Sequence, residues 1–501
     1  MFWDFLYSSV HLFTDPTTFA IFIFGLLAGM LFGAIPGVNM LTLGAVILPF
    51  TAYLSASDAI MLFSVIYCAG VFGGAITAIL FNIPGAPENA PTALDGYPMT
   101  QRGQAGKAVG AAVLCSSLGG LASALLMIAA TPMIASWAVR SFGPPEVFSL
   151  IFFGLTVAAS VGASNLWKGL LSVLTGLLLA TVGSDPAGAL DRFSFGSYYL
   201  LAGIAFIPMV LGFFAISEVF VQGEKMVMGT RIAPKVNLDF PSFRELWGLK
   251  VAVLRSMMIG FFAGILPGIG AVLAAFMSYN EAVRWSKQPE KFGKGEMEGV
   301  VSSETANNSA TGAAMIPLLA LGLPGGALTA MMLGVFQIHG MEPGPLIFVT
   351  SKELVWTTFA AMVFANISIF GLGWLQTKTV VHLLRVPFRY LAPGILLLAT
   401  IGAFALRNLL VDVWVMFAAG IGGYYLRRSG YSVSGIVLGL VLGDLGEAAF
   451  AKTMQLTNYS LTTLMHRPVC AVLLTVGAIT LAWNIYSGVK KSMRQAETGA
   501  K

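Results

Sequence analysis

The sequence predicts an all-α polytopic membrane protein of two inverted-topology repeats, each a helical hairpin plus about five spans, with an extra C-terminal span. Composition is the first reason. Of 501 residues 57% are hydrophobic and 10% charged, and at a mean hydropathy of +0.82 one soluble core cannot hide the apolar surface. Long apolar runs with 57 glycines suit packed helices, whereas the strands of a membrane barrel would alternate in polarity. The second reason is a phrase that occurs twice. Gly29-Met-Leu-Phe-Gly33-Ala-Ile-Pro36-Gly37 and Gly260-Phe-Phe-Ala-Gly264-Ile-Leu-Pro267-Gly268 keep their glycines and proline at one offset, and each breaks an apolar run near its middle. The third is the placement of Lys and Arg on one side of the alternating spans. That positive-inside bias, rather than a nucleic-acid partner, accounts for the net charge of +5.

The first repeat covers 1–222. No Lys or Arg lies in 1–18, so the basic start of a cleaved signal is missing and the first apolar run reads as mature structure. That run, about 19–51, is the first hairpin, with Pro36-Gly37 at its corner and both ends extracytoplasmic. A broken-span region, 58–98, follows: a span to Phe81, then Asn82-Ile-Pro84-Gly85-Ala-Pro87-Glu88-Asn89 and a cytoplasmic loop with Arg102 and Lys107. Spans come next at about 106–136, 144–161, 166–182 and 200–221. Residues 223–249, with Lys225, Arg231, Lys235 and Arg244, form a cytoplasmic basic linker.

The second repeat, 250–447, opens with the hairpin at about 250–285. Basic segments flank it on both sides, so it opens in the opposite sense to the first. Its broken-span region, 298–338, contains Pro324-Gly325 and a short apolar piece, and spans follow at 354–375, 392–406, 411–426 and 433–446. The rest, 448–501, supplies one more span and a cytoplasmic tail with Lys490, Lys491 and Arg494. Of the 28 Lys and Arg, six (Arg140, Arg192, Lys352, Arg407, Lys452, Arg467) fall outside, Arg255 falls within the hairpin, and 21 are cytoplasmic. The N-terminus is then extracytoplasmic. Each hairpin arm of about 17 residues spans about 26 Å, which leaves open whether the corners stop inside the bilayer.

Irregular backbone at membrane depth must be enclosed by protein or line a cavity, because lipid cannot satisfy its polar groups. Four breaks therefore mark the candidate substrate site: Pro36 and Gly37, Pro84 and Gly85, Pro267 and Gly268, Pro324 and Gly325. Asn39, Asn82, Asn307 and Asn308 lie beside them. Helices that restart after a break aim free N–H groups and a positive dipole end at it, which suits a carboxylate. Thr42, Glu304, Thr305, Ser309 and Thr311 are candidate ligands of a coupling ion. The plainer reading is that the Pro-Gly corners end helices and the glycines pack them. No organic cofactor is expected, and Na+ is the one metal ion these oxygens suit. Other polar residues carry two readings each. Arg255 pairs with substrate or snorkels to the surface; Asp444 and Glu447 couple protons or are solvated; Glu88 and Asp95 line an exit or cap helices. His339 reads as a solvated loop residue, and Cys68, Cys115 and Cys470 show no metal or disulfide spacing.

At the twinned Gly-x-x-x-Gly-x-x-Pro-Gly, at 82–98 and at Ser303-Glu-Thr-Ala-Asn307-Asn308-Ser-Ala-Thr311-Gly312, the chain resembles the large membrane subunit of tripartite tricarboxylate transporters, the TctA-type family. The resemblance covers nearly the whole chain. It implies binding-protein-dependent uptake of a carboxylate, citrate by default, across a bacterial inner membrane, driven by an ion gradient of Na+ or H+; the twinned breaks themselves suggest alternating access with substrate held at broken-helix ends. It also implies two partners, an extracytoplasmic solute-binding protein and a small membrane subunit. The alternatives are a channel, which would need a continuous polar stripe, and an intramembrane enzyme. Four histidines and the lack of a His-Glu-x-x-His or Gly-x-Ser-Gly motif leave hydrolysis without a nucleophile and base, so no enzyme is expected.

Overall fold

Helices make up nearly all of the computed structural model, which describes residues 2–35, 39–159, 166–185, 190–226, 240–266, 270–383, 388–460 and 462–499. The corners Pro36-Gly37 and Pro267-Gly268 lie outside these described residues. An unexpected helix, α1 (Phe2–Thr14), precedes the first hairpin. The hairpin arms are α2 (Pro16–Ala34), begun by Asp15, and α3 (Met40–Ile47), begun by Asn39 and prolonged by a 3-10 turn at Leu48–Tyr53. Then come α4 (Ala56–Phe81), a 3-10 turn at Pro87–Asn89, α5 (Ala90–Gln101), α6 (Ala105–Ser141), α7 (Pro144–Ala158) and α8 (Leu166–Ala180). A two-stranded antiparallel ribbon, β1 (Gly183–Ser184) and β2 (Asp191–Arg192), leads to α9. Helix α9 runs as Phe206–Val210, a π-helical turn at Leu211–Ile216, and Ser217–Met226.

The second half is likewise helical. Its hairpin is α10 (Lys250–Ile265) and α11 (Gly270–Trp285), followed by α12 (Met297–Leu321), α13 (Ala327–Ile338), α14 (Lys352–Leu383), α15 (Phe388–Ala405), α16 (Leu410–Arg428), α17 (Val433–Leu456) and α18 (Pro468–Gly499). Among the described residues six helices are long and apolar enough to cross a membrane. The others are shorter apolar pieces or carry too much polarity. α17 continues ten residues beyond the span read from the sequence, because Asp444, Glu447 and Lys452 lower its hydropathy without breaking the helix.

The core lies along α4 and α12. Helix α4 is apolar all round, and such a helix must be enclosed; Ala59 through Phe81 are all buried. α12 is equally enclosed, from Gly299 to Ala320, although it carries a long polar run. Each hairpin lays its first arm on one of these two. α2 packs on α4 and α10 on α12, and the repeated glycines are the contact. A Cβ on Gly29 would lie 2.9 Å from that of Ala69, and one on Gly264 would lie 2.7 Å from the Ala310 carbonyl oxygen. Only Gly lets the backbones approach so closely. The halves also interlock: α6 packs on α12, α14 on α4, α11 on the 87–89 turn and α3 on α13.

The two described breaks share one construction. Asn82 ends α4 and Gly322 ends α12, both left-handed at φ 56° and 70°. Asn82 N donates to Ala78 O and Ile83 N to Thr77 O; Gly322 N donates to Leu318 O and Leu323 N to Pro317 O. In each the left-handed residue bonds four residues back, the αL form of helix cap, the next N–H reaches six back, and the proline that follows at Pro84 and Pro324 prevents further helix.

Candidate functional site

Polar side chains on a helix with no outward face must find partners inside, and those of α12 converge on one carboxylate. Glu304 is fully buried. Its Oε1 accepts from Thr92 Oγ1 (2.5 Å), Asn307 Nδ2 (3.2 Å) and Asn89 Nδ2 (3.3 Å), and its Oε2 from Ser116 Oγ (2.9 Å) and Asn308 Nδ2 (3.5 Å). All these donors are neutral, and among the described residues no Lys or Arg pairs with Glu304. Buried without a cation, the charged form depends on every one of these bonds. Asn308 also donates to Asn307 Oδ1 (2.8 Å) and Glu304 O (3.1 Å), while its own Oδ1 has no donor among the described residues.

The same bonds hold the segment after the first break. Asn307 Nδ2 reaches the Glu88 carbonyl (3.3 Å), and Asn89 Nδ2 reaches Val71 O (2.9 Å). The Asn89 Oδ1 lies against the Cα of Gly74, where any Cβ would overlap it. One turn further, Asp95 caps α12 across the halves. Its Oδ1 accepts from Gly295 N and Glu296 N, each at 2.8 Å, and its Oδ2 from Tyr279 OH at 2.8 Å. Of the two readings of Asp95 the helix cap is the one observed, and the dipole of α12 favours a carboxylate there.

Two cavities adjoin these elements. The smaller, about 270 Å3, lies among Asn39, Pro87 of the 87–89 turn, Val272 of α11, Phe214 of the π turn, Arg427 at the end of α16, and Ser432 and Ser434 at the start of α17. Arg427 pairs with Glu218 and donates to Phe213 O (3.0 Å). The larger, about 1200 Å3, lies beside the second break, with Leu321–Leu323, Arg192, Glu342, Asp444, Glu447 and Lys452 in its wall. There Arg192 forks onto Glu447 at 2.6 and 2.9 Å.

The sequence-predicted residues divide accordingly. Glu304, Asn307 and Asn308 form one network with Thr311, whose Oγ1 donates to Asn308 O (2.7 Å). Thr305 bonds within its own helix to Val301 O (2.6 Å), and Ser309 ties α12 to Met257 O of α10 (2.9 Å). Asn39 caps α3 through Leu41 N and Thr42 N, and Thr42 Oγ1 donates to Phe214 O (3.1 Å). Asn82 and Pro84 are exposed at the turn out of α4; Gly85, Pro324 and Gly325 are buried. A Cβ on Gly85 would overlap Gly33 O and the Gly74 Cα. Arg255 pairs with Glu298 (3.2 Å), and His339 Nε2 meets Thr51 O (3.1 Å).

Sequence reasoning missed Thr92, within the 82–98 phrase but not singled out there, Ser116, one of two adjacent serines in an apolar run, and Arg427, which it counted only as a cytoplasmic charge. A signal for the last was present: a Ser at 432 before an apolar run marks a helix start, with Arg427 five residues ahead.

An all-helical polytopic membrane protein with broken helices around an enclosed polar seam belongs among the transport proteins of this architecture. Residues 19–438 match the tripartite tricarboxylate transporter TctA family, and the chain belongs to that family. It is 37% identical over 456 residues, 90% of each chain, to an uncharacterized 52.8 kDa protein of the TAR-I ttuC' 3' region of Agrobacterium vitis. A second protein, of the TAR-II ttuC' 3' region of Agrobacterium vitis, is 34% identical over 236 residues, 47% of this chain and 98% of that one. No solved structure matches the chain.

Proposed function

We propose that this chain is the large transmembrane subunit of a secondary transporter that takes up a carboxylate, citrate being the first to test, by symport with Na+ or H+. The family supports the transporter, and the enclosed seam around Glu304 carries the finer reading. A carboxylate buried against neutral donors is a site whose charge a proton or cation can change, and the donor-free Asn308 Oδ1 is an acceptor that a cation would use. The like construction of the two breaks, and the matching contacts of α2 with α4 and α10 with α12, support inverted repeats that alternate access to a substrate held at broken-helix ends. In this reading the protein sits in a bacterial inner membrane, with its N-terminus extracytoplasmic and its C-terminus cytoplasmic. A small membrane subunit and an extracytoplasmic solute-binding protein are its partners. The test is uptake of labelled citrate into proteoliposomes holding the full chain and the small subunit, with the binding protein outside. Saturable uptake that needs an imposed Na+ or pH gradient supports the reading. Ohmic, gradient-independent conductance makes the chain a channel instead.

A further inference from the structure

We infer that the small cavity seats a carboxylate group of the transported acid, with Arg427 as its counter-charge; this rests on the transporter reading and adds a place for the substrate. Arg427 is the one charged residue among the thirteen that line the cavity. A guanidinium has five N–H donors. Glu218 and the Phe213 carbonyl take one each among the described residues, and the others remain for a ligand. The Phe214 ring lies beside the guanidinium carbon, 6.0 Å from ring centroid to Cζ, which helps to hold its plane.

Two helices also start at this cavity. Asn39 begins α3 and Ser432 begins α17, each capping through its side-chain oxygen. Their positive ends add to the field of Arg427. Ser434 and Tyr431, also in the wall, carry hydroxyls. A volume of about 270 Å3 falls below the roughly 300–1,000 Å3 of drug-sized sites, which fits a small organic di- or tricarboxylate. The large cleft is less suited. Glu342, Asp444 and Glu447 outnumber Arg192 and Lys452 in its wall, which disfavours an anion there.

Arg427 also closes an ion pair with Glu218, so its loss could act through folding alone. Three variants separate the cases: Arg427→Lys, which keeps the charge and loses the fork; Ser434→Phe, which leaves the ion pair and fills the cavity; and Asp444→Asn in the large cleft. The full chain in lipid nanodiscs is titrated with citrate and with succinate, reading thermal stabilisation, and the same variants are assayed for uptake in the reconstituted three-component system. The expected result is wild-type stabilisation by at least one probe, an affinity about tenfold weaker or worse in Ser434→Phe and Arg427→Lys, and no change in Asp444→Asn. Wild-type affinity in both Ser434→Phe and Arg427→Lys would place the substrate elsewhere, while saturable wild-type uptake still upheld the transporter reading. A wild type that neither binds nor takes up either probe overturns both. If Arg427→Lys fails to fold, Ser434→Phe decides.

Discussion

The small cavity beside Asn39 and the large cleft beside Glu447 adjoin different breaks: Pro87, after the first, walls the one, and Leu321–Leu323, before the second, wall the other. The cleft is more than four times larger, yet acidic groups outnumber basic ones in its wall. Arg192 forks onto Glu447 with about a quarter to a third of each side chain exposed. In the small cavity a single arginine keeps donors to spare, and neutral hydrogen-bonding groups hold the wall. The larger space and the less acidic wall are thus found in different places. Both arginines are paired with a glutamate and are similarly exposed, 25% for Arg427 and 30% for Arg192, so the difference lies in the other charges of the wall, where acidic groups in the cleft would repel an anion.

Substitutions can break or sharpen this contrast, beginning with the largest effect. Glu304→Leu leaves the buried donors of Asn89, Thr92, Ser116 and Asn307 without their acceptor. Destabilisation of about 3–5 kcal/mol is expected, read as a lower unfolding midpoint, together with weaker citrate binding as the 87–89 wall loosens. A variant as stable as wild type would show that the network contributes nothing. Gly74→Ala drives a methyl into Asn89 Oδ1 and disturbs that wall together with one of the five bonds to Glu304. The expected cost is about 1–3 kcal/mol, with citrate affinity lowered, and an unchanged affinity would detach the wall from the site.

Arg192→Gln touches the cleft instead. A partly exposed fork contributes about 0.2–1 kcal/mol, so a small drop in midpoint with unaltered citrate affinity is expected; lost affinity would reverse the assignment of the two cavities. The smallest effect lies away from both. Glu245 is bound by Lys107 Nζ at 2.7 Å and by Ser242, and these partners, Lys107 first, hold its carboxyl down from the ordinary 4.5 to about 2. A depressed acid stabilises above its unfolded value and loses that contribution as pH falls toward the folded one. The midpoint gap between wild type and Glu245→Gln should therefore shrink from pH 4.5 to 2 and narrow with added salt. A gap independent of pH would remove the ion pair from the account.

Much of the fold is legible in the chain because it is local. Apolar run length sets which helices are long, and Pro84 and Pro324 stop two of them at positions visible in the sequence. Even the paired glycines can be read there, though only the structure shows that Gly29 meets Ala69 and Gly264 meets Ala310. The site is less legible. Glu304, Asn307 and Asn308 stand out as polar residues in an apolar setting, but Thr92 and Ser116 resemble many other hydroxyls. Nothing within 20 residues of Arg427 marks Asn39 as its neighbour across the cavity.

Composition, periodicity and two recurring Pro-Gly corners sufficed to determine a helical membrane protein and where its helices break, since hydropathy and backbone stiffness act over a few residues. Tertiary structure alone decided that Asp95 would cap a helix starting 200 residues later, that five neutral donors would share one carboxylate, and that Arg427 would face the start of α3. These depend on which faces of distant helices pack together, and the side chains that meet there are joined by no local rule.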